Sequence, residues 1–118
     1  MLIFNHNDTD IVLVYEQGHR GDCLVFYEYE NGAITEPYAT LSTNVPYYRP
    51  LNPFEFAIKN YSENEGLFEL LKQHDLGHGT GTVSTGFVII PIFQFDEVKL
   101  NNALFNPFQI DLDLNLER

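Results

Sequence analysis

One cysteine, six basic residues and no tryptophan stand in a chain of 118 residues, and these shortages narrow what it can be. A single thiol, Cys23, leaves no partner within the chain for a disulfide, so a reducing, cytoplasmic setting is the simplest expectation. Cys23 opens the apolar run CLVFY, where a thiol reads as an inert core group. Six bases against seventeen acids give a formal charge of −11 and a pI near 4.4. A field of that sign repels phosphate backbones and anionic lipid headgroups and attracts basic surfaces. Nucleic acid and membranes are therefore not expected as direct partners, whereas a basic protein surface is. No apolar run approaches the roughly 20 residues of a membrane-spanning helix. The start, MLIFNHNDTD, lacks the basic residues and long apolar stretch of a secretory signal.

What the chain does hold is apolar bulk. Apolar residues make up 44% and aromatics 14%, with seven tyrosines and ten phenylalanines. That excludes a disordered acidic tail and favours strands. The length suits one domain that buries about two-thirds of the unfolded surface.

DIVLVYEQ (10–17) and DCLVFYEYE (22–30) read as strands separated by a Gly18–Gly21 break. Asn31-Gly32 is a two-residue hairpin signal, since both positions tolerate the positive φ of a type I′ turn. The return strand, from Ala33 to about Ser42, holds Pro37 and so is expected at an edge or with a bulge. Pro46, Pro50 and Pro53 exclude a helix through 45–53. FEFAIKN (54–60) alternates Phe54, Phe56 and Ile58 against Glu55, Ala57 and Lys59, a half-buried strand. Ser62–Glu65 reads as a capping box opening a helix with Leu67, Leu70, Leu71 and His74 on one face. Gly77 would stop it, and Leu76–Thr82 reads as a mobile helix-to-strand connector or a loop shaped by a partner. TVSTGFVIIPIFQF follows as one or two strands, bent at Gly86, with Pro91 again implying an edge or bulge. The last stretch alternates Ile110, Leu112, Leu114 and Leu116 with Asp111, Asp113, Asn115 and Glu117, a sided strand or tail.

The expected fold is α+β: a mainly antiparallel sheet of about five to seven strands with one α-helix near residues 63–75. A single domain covers residues 1–100, and residues 101–118 form an acidic C-terminal strand or tail.

HDLGHGTGTVSTGF (74–87) is the one stretch that suggests catalysis. GHGT resembles the histidine segment of subtilisin-like proteases, and HGTGT the histidine motif of ketosynthases. Both need a nucleophile in its own elbow and a far larger scaffold than this chain provides. His74 and His78 are four apart, but Gly77 and Gly79 break the helix that would bring their rings together, and no HExxH glutamate is present. His6, His19 and Asp75 could add ligands, though their spacing does not ask for it. No catalytic residue, metal or cofactor is expected.

LSTNVP, EFAIKNYSENEGLFELL and VSTGFVIIPI, with the block Ala57–Gly66 (AIKNYSENEG) at their centre, resemble an uncharacterised family of short bacterial proteins carried by phages, plasmids and integrative elements. The resemblance covers under half of the chain and implies a bacterial host cytoplasm and an accessory role on mobile DNA. Such a role would be inhibition of a host defence or nucleic-acid-processing protein, a CRISPR or restriction nuclease among them, by acidic mimicry of nucleic acid. Glu28, Glu30, Glu63, Glu65, Asp111 and Asp113 are the expected contacts, each carboxylate standing in for a phosphate against Arg or Lys. The alternative is a non-catalytic protein-binding or structural module, a homodimer through edge strands or the C-terminal segment.

Overall fold

A computed structural model describes residues 1–18, 21–45 and 48–107. Within them the fold is α+β, with seven strands in two antiparallel sheets and two α-helices. The first sheet is a meander of β1 (Phe4–His6), β2 (Thr9–Gly18), β3 (Gly21–Glu30) and β4 (Ala33–Thr40), in that spatial order. Turn chemistry builds it: Asn7 and Asp8 (φ 52° and 63°) join β1 to β2, and Asn31 and Gly32 (φ 53° and 85°) join β3 to β4. Both pairs adopt the doubly positive φ that matches strand twist.

Pro37 fulfils both of its expected readings. β4 is an edge strand, and its ladder with β3 slips between Phe26 and Tyr27 and again between Tyr27 and Tyr29, either side of the Tyr27–Pro37 pair. Pro91 departs from its expectation. It lies in β7 (Ile89–Phe95), the central strand of the second sheet, between β5 (Glu55–Ala57) and β6 (Gly77–Ser84). The proline is tolerated because the ladder with β5 ends at Ala57–Ile92, one residue earlier, and the Pro91 carbonyl still accepts from Ile58 N–H at 2.9 Å.

The helix near 63–75 is shorter than expected. Ser62 takes φ 58° and opens a 3-10 turn, Ser62–Asn64, while α1 runs only from Leu67 to Gln73 with Gly66 (φ 92°) before it. A capping serine needs extended backbone, so the box of Ser62 and Glu65 does not form; Glu63, within the turn, accepts from Lys59 Nζ at 2.8 Å. Leu67 and Leu71 are buried as the periodicity requires. His74 ends exposed, with its ring edge-on to Phe4 at 4.8 Å.

A second helix, α2 (Glu97–Ala103), was not expected. Asp96 caps it, accepting from Lys99 N–H at 3.0 Å, and Leu100 and Ala103 on it, with Leu104 just beyond, are buried. The boundary expected at residue 100 therefore falls inside an element of the domain. Beyond it Phe105 N–H donates to the Leu13 carbonyl, and the Asn106 side chain bonds both the N–H and the carbonyl of Tyr15. These bonds add a short parallel segment to the free edge of β2.

The main core lies between the sheets and helices: Phe4, Leu13, Phe26, Leu71, Phe93 and Leu100 are among its buried members. A smaller cluster joins Val45, Ala57, Ile90 and Ile92. The strand over 54–60 thus has no wet face, since Ala57 and Glu55 are 3% and 7% exposed and Phe56 packs on the main core from the other side.

Candidate functional site

The glycine-rich segment is not a connector. Gly77–Ser84 is β6, paired along its length with β7. A Cβ on Gly77 would fall 2.0 Å from the Gln94 carbonyl oxygen, so only glycine permits this approach of two backbones. The Phe68 ring lies 3.6 Å from where a Cβ of Gly79 would be, and the ladder slips between Gly79 and Gly81. The glycines therefore serve packing and a bulge. His78 is exposed opposite Gln94 on the outer strand of the sheet. Among the described residues no group of three or more His, Cys, Asp and Glu side chains could hold a metal ion.

His6, named above only as a spare ligand, has a structural task. Its buried ring reaches the Glu65 carbonyl through Nε2 at 2.8 Å and the Tyr38 hydroxyl through Nδ1 at 2.6 Å. A carbonyl only accepts, so Nε2 carries the proton of that bond. His19 lies outside the described residues. Cys23 is half-buried opposite Glu16 in the β2–β3 register, a correction to the core position expected for it. Burial pushes the thiol pKa up, and the Glu16 and Asp22 carboxylates add to this, so the thiolate that would react is disfavoured.

The six expected carboxylate contacts do not form one site. Glu28 and Glu30 meet at one end of the meander, where they line an open cleft of about 440 Å³ with Asn5, Asp8, Thr9, Asp10 and Tyr29. Asp8 and Asp10 were not singled out above. They arrive because the Asn7-Asp8 turn folds β1 and the start of β2 beside the β3 end. Asn5 Nδ2 donates to Asp10 Oδ1 at 3.0 Å, and among the described residues no basic side chain lines the cleft. Glu63 and Glu65 sit at the 3-10 turn, away from that lining, and Glu63 is already paired with Lys59. That pairing holds the Glu63 carboxyl below its usual range. Asp111 and Asp113 lie outside the described residues.

Sequence reasoning missed a second polar locus. Glu55, expected on a wet face, is 7% exposed. Its Oε2 accepts from the Tyr48 hydroxyl at 2.5 Å and its Oε1 from Asn52 Nδ2 at 3.1 Å. The hydrogen bond from Tyr48 is the largest influence and lowers the Glu55 pKa; burial opposes it, and Asn52 and the Leu51 N–H assist. The carboxyl is thus an anion at neutral pH. In return, burial first and the bond to Glu55 second push the Tyr48 phenol up. Residues 43–57 were read as turns and a strand, and the only signal for the locus was a glutamate among aromatic residues.

No family model matches the chain, and no curated protein or solved structure matches it either. No helix among the described residues is long and apolar enough to cross a membrane.

Proposed function

We propose that this chain is a non-enzymatic binding protein that offers the carboxylate end of its meander to a basic protein surface. The partner class is a nucleic-acid-binding protein of a bacterial host, a defence nuclease of CRISPR or restriction type in particular, occupied by mimicry of phosphate. One observation carries the reading: Asp8, Asp10, Glu28 and Glu30 converge on one cleft whose lining, among the described residues, holds no base. The wider charge distribution supports it. Residues 1–45 hold seven acids (Asp8, Asp10, Glu16, Asp22, Glu28, Glu30 and Glu36) and one base, Arg20. The described lysines lie with the helices and the second sheet, where Lys59 and Lys99 are paired with Glu63 and Asp75. The resemblance of Ala57–Gly66 to proteins of mobile elements suggests the setting.

The test is recovery of the partner from host lysate at low salt, followed by competition with duplex DNA. The expected partner binds nucleic acid, leaves the complex as salt rises, and is displaced by the duplex. Replacing all four carboxylates (Asp8→Asn, Asp10→Asn, Glu28→Gln, Glu30→Gln) is expected to weaken the complex about tenfold or more. A salt-insensitive complex, or a partner that binds no nucleic acid, would sink the proposal. A homodimer in light scattering would instead favour the structural alternative, for which the uncharged outer strand β6 and the exposed Phe87 and Ile89 supply the surface.

A further inference from the structure

A second concavity lies elsewhere, between the far end of β2–β3 and the segment leading into β5. It measures about 490 Å³ and is lined by Tyr15 and Asp22 on one side and by Tyr48, Phe54, Glu55 and Phe56 on the other. That volume lies in the range of small-molecule sites, about 300–1,000 Å³. Aromatic and aliphatic side chains share the walls with the neutral polar residues Ser42, Thr43, Asn44 and Asn52, and among the described residues the charged groups in them are the carboxylates of Asp22 and Glu55.

Glu55 determines what such a cleft can hold. Its neighbours compensate the carboxylate with neutral donors only: a phenol, a primary amide and the Leu51 N–H. The two hydrogen bonds from Tyr48 and Asn52 leave about two of roughly four lone-pair positions without one. They leave the charge itself unneutralised. The two ion pairs among the described residues, Lys59–Glu63 and Lys99–Asp75, do not involve Glu55. Burial by itself penalises this anion, and only the hydrogen bonds from neutral donors outweigh that penalty. Phe54 adds to the cost: φ 62° is a left-handed conformation for a bulky aromatic, and it sits in the wall beside Glu55.

We propose that this cleft binds an organic cation, a guanidinium carried on an apolar stem, with Glu55 as its counter-ion. A guanidinium is planar and weakly hydrated, so it can stack on Tyr48, Phe54 or Phe56 while giving an N–H to an open lone pair of Glu55. The stem is covered by the apolar wall. The proposal stands apart from the reading of the meander end, since it uses none of those four carboxylates.

The test compares n-propylguanidine with its neutral isostere n-propylurea by amide-resolved NMR titration of the full chain. The expected result is saturable binding of the guanidine, about tenfold or more tighter than the urea, with shifts at the Asn52 side-chain amide. Glu55→Gln, which keeps the shape of the side chain, is expected to abolish that preference. Equal binding of guanidine and urea by the native chain would overturn the proposal without any variant, as would guanidine shifts confined to the Asp8–Glu30 end. A capped Ala-Arg-Ala peptide separates the sources of the cation. Tighter binding of the peptide assigns the site to an arginine of a partner chain, and equal affinity for the free guanidine assigns it to a small molecule.

Discussion

Gly77 shows how one residue without a side chain can set the spacing of a sheet. Its missing Cβ would meet the Gln94 carbonyl oxygen at 2.0 Å and Phe95 Cα at 2.8 Å, both backbone atoms that cannot rotate aside. Gly77→Ala must therefore lift β6 from β7, and overpacking of this kind costs about 1–3 kcal/mol or more. Gly79→Ala meets the Phe68 ring at 3.6 Å and the Ile92 carbonyl oxygen at 3.8 Å, both ordinary contact distances, and is expected to cost at most about 0.5 kcal/mol. Urea unfolding of the two variants checks the difference; equal losses would show that close approach is not what Gly77 provides. Glycine inside a strand pattern is itself a sign of a bulge or a close approach, so this segment was readable in principle. The periodicity obscured it, because His78, Gly79, Thr80, Gly81 and Thr82 are all exposed and carry no alternation. Asn64 is a related case. Its side chain closes a backbone group across the fold, donating to the Thr40 carbonyl at 2.7 Å.

Among the elements, α2 tests how firmly the chain beyond β7 belongs to the domain. Leu100 and Leu104 are fully buried and Ala103 nearly so, whereas Val98 is 66% exposed. Leu100→Ala and Leu104→Ala are expected to destabilise by about 2–5 kcal/mol, and Val98→Ala by no more than about 0.5 kcal/mol. A flat response in denaturant titrations would show that α2 is not docked. The start signal for this helix was present: Asp96 stands at the cap and Glu97 in the first turn. The three apolar positions Leu100, Ala103 and Leu104 follow helical spacing. Seven residues are too short a window for that spacing to stand out against the strand pattern before it. The meander was far easier to read, because Asn31-Gly32 and the apolar alternation of its flanking strands are local signals for the same hairpin.

Across the whole molecule the surplus of acids couples to tyrosine. The hydroxyls of Tyr15, Tyr27 and Tyr48 bond Asp22, Glu16 and Glu55 respectively. Burial is the main cause that raises Tyr15 and Tyr48 above the ordinary phenol value of 10.0, and the bond to Glu16 is the main cause for Tyr27. Above pH 10 the unfolded chain releases these protons while the folded chain retains them. Their contribution to stability is thus complete below pH 10 and is lost as pH rises through the higher folded values. The double variant Tyr15→Phe, Tyr48→Phe should lower stability at pH 8 yet flatten its fall above pH 10. Guanidine unfolding at stepped pH measures this, and an unchanged slope would contradict it. Glu55 acts in the opposite direction. Its depressed pKa contributes stability above the ordinary glutamate value of 4.5, lost as pH falls through the folded value.

Composition alone settled the large quantities of this protein, because charge and apolar content are sums that folding does not alter: −11 on a chain that is 44% apolar. Local pattern settled the hairpins and the α+β class, since a type I′ turn or a period of two is complete within a few neighbouring residues. Which acids share a surface could not be read in this way. Asp8 and Asp10 lie about twenty positions from Glu28 and Glu30, and only the β2–β3 register, with Ile11 opposite Glu28, carries them to one end of the sheet. Glu55 was concealed for the same reason. A glutamate in an alternating strand reads as wet until a second layer covers that face, and the layer here comes from Tyr48 and Asn52 in a proline-bound segment with no periodic signal. Burial is a property of what packs against a residue, and contacts between distant segments leave no trace in local spacing.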